Sequence, residues 1–266
     1  MNSVLICAIQ KTGSTWIRFV MFNYFNILNN GATETLTFDE LKKIHDVRRK
    51  KGFRKGHPHV NKEVHTTLYE DGFPQIIHTH IGYNGTAFVK NFPKAIYNKY
   101  FNQFDKIIYG FRNPYDTMIS YHQFIFNRNR IPYRKINMNL KQRLEDFTTY
   151  YLGRFIKHVK ETMHRADIVL NYDKLRKDPS GFAEAIKLVD GTIDMNVFSK
   201  AVEISTFDNI KKMSIEVDQP YGVGGPLYKG FFCRDGRSGQ YKEVMSKELI
   251  EYITNECKKV NLTWEE

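Results

Sequence analysis

Residues 3–18, SVLICAIQKTGSTWIR, join an apolar run, a short polar turn and the start of a helix-periodic segment. Val4 to Ile9 carry the apolar run, which stops at Gln10. Lys11, Thr12, Gly13, Ser14 and Thr15 form the turn. Trp16 opens a helix whose Ile17, Val20, Met21, Tyr24 and Ile27 share one face. Strand, turn and helix in this order commit the chain to α/β architecture. They also aim backbone N–H groups and the positive end of a helix at one spot, where an anion can sit. Ser14 and Thr15 add hydroxyl donors, and Lys11 adds a full charge. A plain helix start capped by Ser or Thr, with Lys11 merely exposed, fits the same residues. The turn alone leaves both readings open.

The rest of the chain decides between them. Asn29-Asn30-Gly31 ends the first helix, and Thr37-Phe-Asp-Glu40 reads as a capping box for a short helix through Ile44. Gln75 to His80 (QIIHTH) is a short β-type run. Residues 106–112 (KIIYGFR) form the next strand, which stops at Asn113-Pro114, a turn into a helix. Asp116 then lies in the first helical turn, where the dipole favours a negative charge. Residues 139–165 are helix-periodic, Asp167 to Tyr172 is another strand, and helices follow at 179–189, in two patches between Asp194 and Met213, and at 246–259. Strands alternating with helices predict a single α/β domain over 1–266, with a central parallel sheet flanked by helices. In such sheets ligands bind beyond the carboxyl ends of the strands. Lys11, His80 and Arg112 each stand just there, on three different strands.

Charge points the same way. Forty Lys and Arg against 29 Asp and Glu leave a net +11, which favours an anionic partner: a phosphorylated small molecule, nucleic acid or a membrane surface. The run RRKKGFRK at 48–55 reads as a solvated loop, and residues 46–73 and 215–232 as mobile excursions. His57, His59 and His65 lack a carboxylate or cysteine at ligand spacing, so no metal is expected there. Cys7, Cys233 and Cys257 are widely spaced and form no CxxC pair, which indicates a reducing compartment. No signal-peptide pattern opens the chain, and no apolar stretch reaches the roughly 20 residues that span a bilayer. The expectation is a cytoplasmic protein.

Three segments together resemble one family, the sulfotransferases that use PAPS (3′-phosphoadenosine 5′-phosphosulfate). QKTGSTW resembles the family's 5′-phosphosulfate loop, PKSGTTW. RNPYDTMISYHQF, from Arg112 to Phe124, resembles its 3′-phosphate element, RNPxDxxxSxYxF. CRDGRSGQYK, from Cys233 to Lys242, resembles its late glycine-rich loop, RKGxxGDWK. The resemblance implies a P-loop-like fold and a role for each matching residue. Lys11, Thr12, Gly13, Ser14 and Thr15 would hold the 5′-phosphate, with Trp16 beside the adenine. Arg112 and Ser120 would grip the 3′-phosphate. Tyr172, in NYDKLRKDP, matches the tyrosine of YEDLxxDP near adenine. Phe207 and Ser205 match a TSFxxM segment, also near adenine. Arg234 and Gly236 match late phosphate contacts. His80 ends QIIHTH where the family has KTH, and would be the catalytic base.

The departures are specific. Gln10 stands for proline, His78 for the lysine of KTH and Tyr241 for tryptophan. Asp235 stands for the lysine of RKG, so a negative charge falls where the 3′-phosphate is expected; it either points away or is replaced in role by Arg237. The family's dimerisation motif KxxxTVxxxE survives only as Lys242-EVM-Ser246-Lys247-ELI-Glu251, which leaves a monomer or a weak dimer as the expectation.

The implied reaction is in-line transfer of a sulfuryl group from PAPS to a hydroxyl or amine of a small acceptor, leaving PAP, without a metal. Histidine's ordinary pKa lies near working pH, so His80 can take the acceptor's proton. Lys11 and the loop amides would stabilise charge on the leaving oxygen, and Ser120 would help position Lys11 or the phosphate. Two rivals fit less. A P-loop kinase needs GxxxxGK[ST] with its lysine late in the loop, whereas here Lys11 precedes Gly13. A nucleic-acid-binding module on residues 48–55 leaves Arg112 and Ser120 unexplained. Acceptor-pocket loops are expected at 46–73, 81–105, 127–138 and 215–232, with Phe73, Tyr83, Phe88, Phe92, Tyr133, Tyr221 and Tyr228 among their aromatic residues.

Overall fold

The computed structural model describes residues 1–41, 43–44, 53–54, 57–58, 72–87, 93–126, 140–216 and 235–264. The strands are β1 (Val4–Ala8), the two-residue pair β2 (Phe53–Arg54) and β3 (His57–Pro58), β4 (Ile76–Thr79), β5 (Lys106–Phe111) and β6 (Ile168–Asn171). The helices are α1 (Ser14–Asn30), α2 (Lys94–Phe101), α3 (Pro114–Phe126), α4 (Leu140–Thr162), α5 (Tyr172–Lys177), α6 (Gly181–Asp190), α7 (Met195–Ile204), α8 (Phe207–Glu216), α9 (Tyr241–Val244) and α10 (Lys247–Lys258).

Four strands make the main sheet, in the order β4–β1–β5–β6, and every pairing is parallel. All five residues of β1 are buried, as a central strand covered on both faces must be. Its side chains alternate. Val4 and Ile6 join a core under α1, α6 and α7, whereas Leu5 and Cys7 join a second core with α2, α3, α4 and α10. The chain leaves β1 for β4 on one side and then crosses to β5 on the other. This reversal puts a crevice at the carboxyl end of β1.

Local signals set the element ends. Gly31 closes α1 at φ 64°, and its N–H caps the Asn26 and Ile27 carbonyls. The expected capping box is present: the Thr37 hydroxyl accepts from Glu40 N at 3.2 Å, while Glu40 Oε2 accepts from Thr37 N at 2.8 Å. The Ser246 hydroxyl caps α10 through Leu249 N. One expectation needs correction. The stretch 81–105, read as an acceptor loop, contains α2, whose Tyr97, Tyr100 and Phe101 are buried in the second core. Phe73, also placed at the acceptor, is 5% exposed and packs on Phe22. The loops 46–73 and 215–232, the basic run 48–55, and Phe88, Phe92, Tyr133, Tyr221 and Tyr228 lie wholly or largely outside the described residues. Among the described residues, no helix is long and apolar enough to cross a membrane.

Candidate active site

The carboxyl ends of all four main strands deliver a side chain to one place. Gln10 and Lys11 follow β1, His80 follows β4, Arg112 follows β5 and Tyr172 follows β6. Together with Gly13, Ser14, Thr15, Trp16, Ser120, Phe207, Asp235 and Gly236 they line one cavity of about 970 Å³ including its open mouth. Lys11 and Arg112, widely separated in sequence, therefore face the same space.

The turn after β1 is tightly determined. Lys11 has φ 73° and Gly13 has φ 90°, both left-handed. Gly13 admits no side chain: a Cβ there would lie 2.4 Å from Tyr172 Cδ2. Thr12 is only 1% exposed and turns inward, its hydroxyl 2.8 Å from the Ile9 carbonyl and 3.1 Å from that of Gly110. Its side chain therefore fastens the turn to the sheet and is not part of the cavity lining, which leaves the main-chain N–H of Thr12 for the expected contact. The buried Arg18 backs the turn, donating to the Ser14 carbonyl and the Thr15 hydroxyl. Lys11 Nζ lies 4.7 Å from the Phe124 ring centre.

Aromatic rings form the opposite wall. Trp16 meets Tyr172 edge-on at 5.7 Å, and Arg176 stands 5.9 Å from the Trp16 ring and 5.5 Å from the Phe207 ring. Gly236 mirrors Gly13: its φ is 70°, and a Cβ would lie 2.5 Å from Phe207 Cε2. The Tyr172 hydroxyl donates to the Gly236 carbonyl at 2.8 Å, joining the wall to the late loop. Ser205 does not reach this wall. It is fully buried and accepts from Asn23 Nδ2 at 2.8 Å, because it caps the end of α7 and faces α1. Arg234 lies outside the described residues.

Arg112 is 5% exposed, with its guanidinium 4.6 Å from the Tyr172 ring centre. Nη2 donates to the Arg237 carbonyl at 2.7 Å, and among the described residues the buried Nε has no hydrogen-bond partner. Asp235 belongs to the cavity lining, and the exposed Arg237 side chain pairs with it at 2.8 Å and with Glu243 at 3.0 Å.

His80 Nδ1–H donates to the Ala8 carbonyl at 2.7 Å. That bond fixes the neutral tautomer, so Nε2 carries the lone pair a base needs. The segment after His80 is seated on α4: Tyr83 N donates to Thr162 Oγ1, and a Cβ at Gly82 would lie 2.6 Å from that oxygen. His158, absent from the sequence reading, supports this seat. It is fully buried, shares a 2.9 Å hydrogen bond with the Tyr109 hydroxyl and contacts the His80 main chain. Burial first, and the neighbouring His80 second, pull its pKa down to about 3, so His158 stays neutral at working pH. Its only sequence signal was a histidine on the apolar face of a periodic helix. Among the described residues, no three of His, Cys, Asp and Glu gather as metal ligands.

Comparison with known proteins places this geometry. The family model described as "Sulfotransferase domain" matches residues 1–263. The luciferin sulfotransferase of Photinus pyralis is 23% identical over 281 residues, covering 94% of this chain and 69% of the relative. Cytosolic sulfotransferase 13 of Arabidopsis thaliana is 21% identical over 283 residues, covering 97% and 76%. The crystal structure of mouse sulfotransferase SULT7A1 complexed with PAP aligns with a TM-score of 0.60 at 16% identity, covering 97% of this chain and 83% of that one. Retinol dehydratase in complex with androsterone and inactive cofactor PAP aligns with a TM-score of 0.60 at 16% identity, covering 96% and 79%.

Proposed function

The chain belongs to the sulfotransferase domain family, and from that premise we propose that it moves a sulfuryl group from PAPS to a hydroxyl or amine of a small acceptor. The observation that carries this reading is the shared cavity. Lys11 with its turn, and Arg112 with Ser120, give two cationic stations for two phosphates, and Trp16, Tyr172 and Phe207 give apolar faces for a base between them. Arg112 Nε, buried and lacking a hydrogen-bond partner among the described residues, is the kind of group that an anion satisfies.

Each residue has a defined task. Ser14, Thr15 and the amides of the turn bind the 5′-phosphosulfate at the start of α1. Arg112 and Ser120 bind the 3′-phosphate. His80 Nε2 accepts the proton of the acceptor's hydroxyl as its oxygen bonds to sulfur and the bond from sulfur to the bridging oxygen breaks. Lys11 neutralises the charge left on that bridging oxygen. Neither rival is supported: a kinase or a nucleic-acid module leaves the Arg112–Ser120 side of the cavity without a purpose. We place the acceptor among small hydroxylated molecules and the enzyme in the cytoplasm as a monomer or weak dimer. The free thiols Cys7 and Cys257 suit that compartment.

The test is direct. PAP is expected to raise the melting temperature more than AMP or ATP with Mg²⁺, with about 2.7 kcal/mol of stabilisation at a hundredfold excess over Kd. Incubation with PAPS and a panel of phenols, alcohols, sugars and amines is expected to give a product heavier by one sulfuryl group in the mass spectrum. No stabilisation by PAP, together with no transfer to any class, defeats the reading. A second outcome concerns Asp235, a residue of the cavity lining whose carboxylate accepts from Arg237 through both oxygens. Asp235→Asn is expected to tighten PAP binding, roughly threefold to tenfold, by removing about 1 kcal/mol of repulsion. Calorimetric titration of PAP into both proteins measures it.

A further inference from the structure

Asp116 and Asp173 are 1% and 7% exposed, and neither lines the cavity. Burying a carboxylate costs several kcal/mol unless donors surround it, so its partners show what it is for. A carboxylate serving only the start of a helix needs donors from its own turn. Asp116 has one such donor, Asn113 Nδ2 at 3.0 Å, but its other bonds come from far along the chain. Gly239 N donates to Oδ2 at 2.6 Å and Tyr241 N to Oδ1 at 3.1 Å. Asp173 repeats the pattern: Asn113 N and Nδ2 donate to it at 3.0 and 3.1 Å, and the Ser238 hydroxyl at 2.6 Å. Asn113 thus bridges the two acids, and both reach the segment 235–240, which has no regular secondary structure of its own.

The same two acids flank Arg112, Asp116 at 3.8 Å from Nη2 and Asp173 at 4.0 Å from Nε. Arg112 in turn donates to the carbonyl of Arg237, inside the segment they hold. We infer that Asp116 and Asp173 form a latch that fastens the late loop to the strand end carrying Arg112, and so set the orientation in which Arg112 meets the phosphate remote from Lys11. Both are positioning residues, acting through Arg112 and the loop backbone. The inference rests on the PAPS reading and deepens it: the latch is what makes the site select a 3′,5′-bisphosphate over a 5′-monophosphate.

The experiment compares PAP with AMP by calorimetric titration of the full chain, as wild type, Asp116→Asn and Ser238→Ala. Asp116→Asn keeps the shape but turns an N–H toward a backbone N–H. Ser238 is exposed, so Ser238→Ala leaves the fold intact while removing the bond to Asp173. The ratio of the two Kd values is expected to fall about tenfold or more in Asp116→Asn and several-fold in Ser238→Ala, with AMP affinity nearly constant. With PAPS as donor, KM rises in both while kcat changes little. Equal weakening of both nucleotides, or an unchanged ratio, overturns the latch and leaves the acids as fold supports. If Asp116→Asn does not fold, Ser238→Ala decides alone. A wild-type protein that binds PAP no better than AMP defeats the bisphosphate reading itself, and the latch falls with it. The two failures are thus told apart.

Discussion

His80→Ala is expected to lower the rate of sulfuryl transfer by roughly a hundredfold or more while PAP binds as before, since a positioned general base contributes on the order of 10²–10⁴. Nδ1 is committed to the Ala8 carbonyl, so the ring presents Nε2 as its proton acceptor, at the end of β4 and in the cavity that Lys11 lines. Removing the ring costs one partly buried hydrogen bond, about 1 kcal/mol, which lowers Tm by only about 2–4 °C. His80→Asn separates the two effects. Its side-chain amide can donate to the Ala8 carbonyl as Nδ1–H does, so stability returns, yet it offers no basic nitrogen. Its turnover is expected to stay as low as that of the alanine variant. Near wild-type turnover in either purified variant removes His80 from the mechanism.

The sequence made part of this site legible because the contacts concerned are local. The turn from Gln10 to Trp16 declares itself by its order of residue types, and a strand's end fixes where the next side chain goes. Lys11, His80 and Arg112 could therefore be placed together, and Tyr172, expected there from the family resemblance, follows the fourth strand by the same rule. What failed to show was long-range. Asp116 reads as a charge serving its own helix, whereas two of its partners lie 123 and 125 residues away. Ser205 and Thr12 were assigned by position in a motif, but a hydroxyl's direction depends on which neighbour needs a donor, here Asn23 and the Ile9 and Gly110 carbonyls. The helix α2 went unseen because KAIYNKYF mixes two lysines with three aromatics and starts at a proline, which weakens its periodicity. Its burial comes from Tyr97, Tyr100 and Phe101 finding the second core, which local pattern does not reveal.

Lys11 offers the sharper separation of stability from chemistry. Its φ of 73° places a lysine in the left-handed region, at a cost of about 1–2 kcal/mol for a residue with a Cβ. Lys11→Gly relieves that strain and is expected to leave Tm unchanged or raise it by a few degrees. The same variant removes the only full charge in the turn, and turnover is expected to fall roughly a hundredfold or more, since charge on the bridging oxygen then meets only the loop amides. Lys11→Met, whose stem can still pack where Nζ now stands 4.7 Å from the Phe124 ring centre, is expected to lose as much activity. Activity lost as stability holds or rises is the signature of a backbone strained for function, and a merely exposed lysine cannot produce it. Melting curves beside initial rates with saturating PAPS decide the matter. Should Lys11→Gly keep near wild-type turnover, the leaving oxygen is stabilised by the amides of the turn alone, and the left-handed lysine has no part in the transfer.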